Sequence, residues 1–104
     1  MKKLFISQPM IDKTNDEIIA ERQRILKLVK EKFGDENIEL IDSFFQDAPH
    51  DAKPLWFLGK SFQLLSTADI VFFGGAWREY RGCTMENMAA HKYLEPNGVE
   101  IIEE

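Results

Sequence analysis

One cysteine stands in the whole chain, Cys83. It permits no internal disulfide, and a lone thiol fits a reducing cytoplasm. The two histidines, His50 and His91, lie far apart, and with a single cysteine they make no recognisable metal set. Neither a metal nor a cofactor is therefore expected. No apolar run approaches the ~20 residues that a bilayer span needs. Positive charge is in deficit, with 13 Lys and Arg against 18 Asp and Glu and a net charge of −5. That balance gives no electrostatic support to a nucleic-acid polymer or a membrane as partner. Dinucleotide, Walker A and G-x-S-x-G patterns are all missing. The opening "MKKLFISQPM" carries two lysines and a short apolar run. Gln8, Pro9 and Asp12 interrupt it too early for a signal peptide, so a cytoplasmic location is expected.

What is present is an alternation of short apolar runs and helical periodicity over residues 1–104, the length of one domain. "KLFIS" reads as a strand. Thr14 with Glu17 three residues on forms a capping box, and Ile18, Ile25, Val29 and Phe33 mark a helix that Gly34 stops. "IELID" is a second strand, followed by the long loop "SFFQDAPHDAK". Pro54 opens a second helix, with Leu55, Leu58, Phe62 and Leu65 on one face, running to about Thr67. "DIVFF" has the continuous apolar character of a central parallel strand. A loop over 74–81, a third helix from Gly82 to about Leu94, and a last strand "VEII" complete the chain. The order β-α-β-α-β-α-β implies a parallel sheet with right-handed crossovers. Four strands ordered 2-1-3-4 make the flavodoxin-like, Rossmann-like half of a three-layer α/β fold. Ligands in such sheets bind beyond the carboxyl ends of the strands where the order reverses, here between the first and third.

The loops leaving those two strands are "QPMIDK" and "GGAWREYRG". Glu86 lies about one turn into the helix that follows, where the positive end of the dipole favours its charged form. A carboxylate there can attack a sugar carbon, stabilise an oxocarbenium ion or act as a base. It can equally be a helix-stabilising acid. Gly74, Gly75 and Gly82 allow backbone to approach an anion, or serve only as turn residues. Trp77 and Tyr80 can stack on a base or sugar, or pack in a subunit contact. Arg78 and Arg81 can pair with a phosphate or stay solvated. Cys83 reads as a small packing residue, with no histidine near it in sequence.

The blocks "KLFISQPM", "LLSTADIVFF" and "GAWREYRGCTMENMAA" resemble the nucleoside 2-deoxyribosyltransferase superfamily, in particular its small bacterial and phage members of unknown function. The spacing of Trp77, Gly82 and Glu86 is the most specific part. The resemblance implies cleavage or transfer of the N-glycosidic bond of deoxyribonucleosides or their 5′-monophosphates. Glu86 would be the nucleophile. Tyr80, six residues before it, would contact sugar or phosphate. Ser7, Gln8, Pro9 and Met10 would line the base and sugar pocket, with Gly75, Trp77 and Gly82 completing it. It also implies a homodimer or larger homo-oligomer whose subunits help complete each other's sites.

Two positions depart from the family pattern. Phe5 stands where active relatives carry a tyrosine, and Ser61 where they carry an aspartate that helps protonate the departing base. Serine does not titrate near neutral pH, and losing a proton donor costs ~10²–10⁴-fold in rate. The alternative expectation is therefore a weakly active or inactive module that binds nucleotide or sugar phosphate in the same crevice. A third reading places Phe44, Phe45, Trp56 and Phe57 at a subunit interface.

Overall fold

The strands of this protein are short, and each of the first three is followed along the chain by a helix. The computed structural model describes residues 1–34 and 37–104. The elements are β1 (Lys2–Ser7), α1 (Asn15–Phe33), β2 (Ile38–Leu40), α2 (Pro54–Leu65), β3 (Ile70–Phe73), α3 (Arg81–Ala89) and β4 (Glu100–Glu103). The four strands form one parallel sheet ordered β2-β1-β3-β4, the expected topology.

α1 starts as its sequence dictates. Thr14 Oγ1 accepts from the Glu17 N–H at 3.1 Å, and Glu17 returns the bond to the Thr14 N–H at 3.0 Å. It ends at Gly34, whose left-handed φ of 59° lets its N–H cap the last carbonyls. Asp69, just before β3, accepts a bond from the Lys3 N–H at 2.8 Å and pins that end of the sheet.

Alternation along the strands splits the core into two layers. Leu4, Ile6, Ile70 and Phe72 pack with Ile25 and Val29 of α1. Phe5, Val71 and Phe73 face the other way and pack with Leu65, Trp77, Cys83 and Ala90 on the α2 and α3 side. The result is a three-layer α/β domain.

Three boundaries differ from the sequence reading. β2 stops at Leu40, although the Ile41 N–H still reaches the Leu4 carbonyl at 2.8 Å. The loop after β3 contains a 3₁₀ turn, Trp77–Glu79, that turns Trp77 inward. The third helix begins at Arg81, and after Ala89 it widens into a π turn over Ala90–Leu94, with the Glu95 N–H donating to the Ala90 carbonyl.

Candidate functional site

The carboxyl ends of β1 and β3 meet where Ser7 pairs with Phe73, and the Gly74 N–H donates to the Ser7 carbonyl at 2.9 Å. A Cβ at Gly74 would come within 2.9 Å of Ile25 Cδ1, so the tip of that side chain would have to shift to admit one. From this point β1 sends successive side chains to opposite faces. Ser7 points to the α3 face and Gln8 to the α1 face.

On the α3 face, Ser7 Oγ donates to Glu86 Oε1 at 2.8 Å, joining residues 79 apart in sequence. Glu86 lies on the buried stripe of α3, between Cys83 and Ala90, and is only 7% exposed. Burial pushes the Glu86 pKa above the ordinary carboxylate range, and the Ser7 hydroxyl, with that of half-buried Ser61 on α2, pulls it partly back. The helix dipole does not govern this group. The helix begins at Arg81, so Glu86 is its sixth residue, beyond the turn where the dipole acts, and desolvation dominates. Cys83 sits against Ser7 and near Glu86, and burial pushes its thiol up as well, so it is not an activated nucleophile.

On the α1 face, Gln8 is held by a buried arginine. Arg22 is 5% exposed and lies on the apolar stripe of α1 with Ile18, Ile25 and Val29. Its guanidinium donates to the Ile41 carbonyl at 2.8 Å and to Gln8 Oε1 at 3.4 Å. Burial lowers its pKa, and the nearby Asp42 charge opposes that shift.

Beside these groups is a cavity of about 310 Å³ lined by Gln8, Pro9, Lys13, Glu17, Ile18, Glu21, Gly75, Ala76 and Tyr80. That is the low end of the ~300–1,000 Å³ range for small-molecule sites. A more open groove of about 560 Å³ runs along α1 past Gln23, Lys27 and Lys30. It is lined by that helix's outer side chains and its Gly34 cap, away from the strand ends, whereas the loops leaving β1 and β3 line the smaller cavity, which is therefore the candidate site.

Of the residues singled out from sequence, Gln8, Pro9, Gly75 and Tyr80 line this cavity. Ser7, Ser61 and Glu86 form the buried cluster behind Gln8. Met10 and Gly82 are half-buried and outside the lining. Phe5 is core, two residues before Ser7 and on the same face of β1. Trp77 does not reach the cavity. It is 5% exposed, its ring packs on Phe73 with centroids 5.2 Å apart, and its Nε1–H donates to the Glu104 carbonyl at 3.2 Å. Arg78 lies over that ring, 4.3 Å from its centroid, and also donates to the Glu104 carbonyl.

Sequence reasoning missed Arg22, Lys13, Glu21 and Glu104. Arg22 did leave a signal, a charged residue on an otherwise apolar helical stripe. Glu104 left none. Its carboxylate accepts two bonds from Arg24, at 2.8 and 3.1 Å, and one from the Gly75 N–H at 3.0 Å. These bonds, those from Arg24 foremost, hold it below the usual carboxylate range.

Among the described residues, no three His, Cys, Asp or Glu side chains are placed to hold a metal ion, and no helix is long and apolar enough to cross a membrane. No family model, curated protein or solved structure matches the chain.

Proposed function

We propose that this protein breaks the N-glycosidic bond of a deoxyribonucleoside or its 5′-monophosphate, by transfer or hydrolysis, with Glu86 as nucleophile. The observation that carries the reading is a buried carboxylate bonded to Ser7 at the sheet's reversal point, where the next residue, Gln8, lines a cavity of about 310 Å³. An ionised Glu86 attacks the anomeric carbon and forms an ester. The carbon–nitrogen bond breaks, and its electron pair leaves with the base. Water, or a second base, then attacks the same carbon and frees the carboxylate. Ser61 cannot titrate near neutrality, so the departing base takes its proton from solvent. Gln8, oriented by Arg22, and Tyr80 hold the substrate from the cavity walls.

The test is release of free base from deoxynucleosides and their 5′-monophosphates. Wild-type protein should release it and Glu86→Gln should not. No release from any substrate by the wild type sinks the enzyme reading.

A second reading rests on one observation: Glu86 is absent from the cavity lining, and its burial favours the uncharged form. On this reading the crevice binds a nucleoside or sugar phosphate with little or no turnover. Calorimetric binding without base release would support it.

The proposal also includes a cytoplasmic homo-oligomer, where nucleosides and a reduced Cys83 coexist. Its contact surface is the aromatic group of Phe45, Trp56 and Phe57, whose rings stack edge-on or tilted at 5.1 to 6.4 Å. Leu55 beside them is 75% exposed.

A further inference from the structure

The loop after β3 carries backbone suited to an anion, yet its donor is already taken. Gly75 has a left-handed φ of 62° and lines the cavity. Its N–H points at Glu104 Oε1, 3.0 Å away. The same carboxylate is clamped by Arg24, which also forks onto Glu21 at 2.6 and 2.8 Å. Arg78 is likewise engaged, with the Glu104 carbonyl. The cavity lining itself holds one cation, Lys13, against two acids, Glu17 and Glu21. Glu17 is anionic through its capping bonds to Thr14.

From this arrangement, and resting on the glycosyl reading above, we propose that the site takes deoxynucleosides without a 5′-phosphate, and that Glu104 is the residue that sets this preference. A phosphate reaching the Gly75 end of the cavity finds that N–H already taken by the Glu104 carboxylate and two acids, Glu17 and Glu21, on the walls. Like charges set side by side repel in such a contact, whereas a neutral 5′-hydroxyl can donate to an acidic group and loses nothing. Glu104 is fixed by its clamp with Arg24 as well as by the β4 ladder, since its own N–H donates to the Phe73 carbonyl at 2.9 Å. Displacing it would cost Arg24 one of its two carboxylate partners and loosen the end of the sheet.

The experiment compares kcat/KM, and calorimetric Kd with Glu86→Gln protein, for the four common deoxynucleosides and their four 5′-monophosphates. Deoxynucleosides should be favoured by about ten-fold or more, and added salt should narrow the gap, because screening weakens repulsion between partly exposed charges. Glu104→Gln should move the ratio toward the monophosphates by removing the negative charge beside the Gly75 N–H. Glu21→Gln, which leaves the β4 end intact, should move it the same way if Glu104→Gln does not fold. Monophosphates used or bound as well as nucleosides would overturn the proposal while leaving the glycosyl reading in place. So would a folded Glu104→Gln protein with an unchanged ratio. Absence of both binding and turnover for all eight compounds would remove the glycosyl reading and this one together.

Discussion

Glu86 carries two consequences of opposite kind. As a nucleophile it must be ionised, so the rate of base release should climb with pH through its raised pKa and then level off. As a buried acid it costs stability. A carboxyl whose folded pKa is raised binds its proton more tightly in the native state. The stability that Glu86 contributes is then highest below the ordinary value near 4.5 and falls as pH rises from there to the folded pKa. Glu86→Gln keeps the shape and removes the charge. It should melt higher than wild type at pH 7 while releasing no base, each ~1 kcal/mol gained appearing as about 4–8 °C in a domain near this size. Thermal melts across pH 4–8 check the sign. A Glu86→Gln protein that melts lower at pH 7 would contradict the burial argument. Phe5→Tyr tests the other departure from the family pattern. The new hydroxyl enters the buried layer beneath Ser7, and unless it finds the Ser7–Glu86 cluster it should destabilise the fold by about 1–3 kcal/mol.

At the scale of elements, α1 and the end of the α3 helix make separate predictions. Thr14→Ala removes half of the capping box and should cost about 1 kcal/mol, read in urea as a lower midpoint with unchanged slope. His91 stands in the π turn between Glu95 and Glu103, at 3.0 and 3.1 Å, and these partners raise its pKa. Its contribution is therefore present in full below about 6.5, the unfolded value, and disappears as pH rises through the folded one. The ring is more than a third exposed, so the effect is a few tenths of a kcal/mol. The melting difference between wild type and His91→Ala should be larger at pH 5.5 than at pH 8.5. The same elements show what a sequence can reveal. Capping, periodicity and the apolar run of β3 are local, so α1 and the parallel order were legible residue by residue. Trp77 was not. Its neighbours Arg78 and Glu79 look like a solvent-facing loop, and only the 3₁₀ turn sends the ring into the core. Glu104 escaped for a different reason, because its partners lie on other elements and no spacing rule connects them.

Over the whole molecule, the two layers are unequal. α1 seats four residues in its layer, while α2, the more apolar helix, buries only Leu65 fully. Leu55 and Phe57 remain exposed beside the Phe45 and Trp56 rings. An apolar face of that kind on a 104-residue chain is best covered by a second copy. Light scattering at low concentration should find a dimer or larger species, and Leu55→Glu with Phe57→Glu should reduce it to monomer without loss of helicity. A wild-type protein that is monomeric at every concentration would end this expectation.

The divergence of Ser7 and Gln8 at the tip of β1 has a consequence for how the chain assembles. One reaches an acid beneath α3, the other a guanidinium beneath α1. Were β1 to seat one position out of step, the amide would face the glutamate, the hydroxyl would face the arginine, and each ion would lose the neighbour shaped for it. The tip thus works as a proofreading device: only the correct threading gives the glutamate its hydroxyl and the arginine its amide at once.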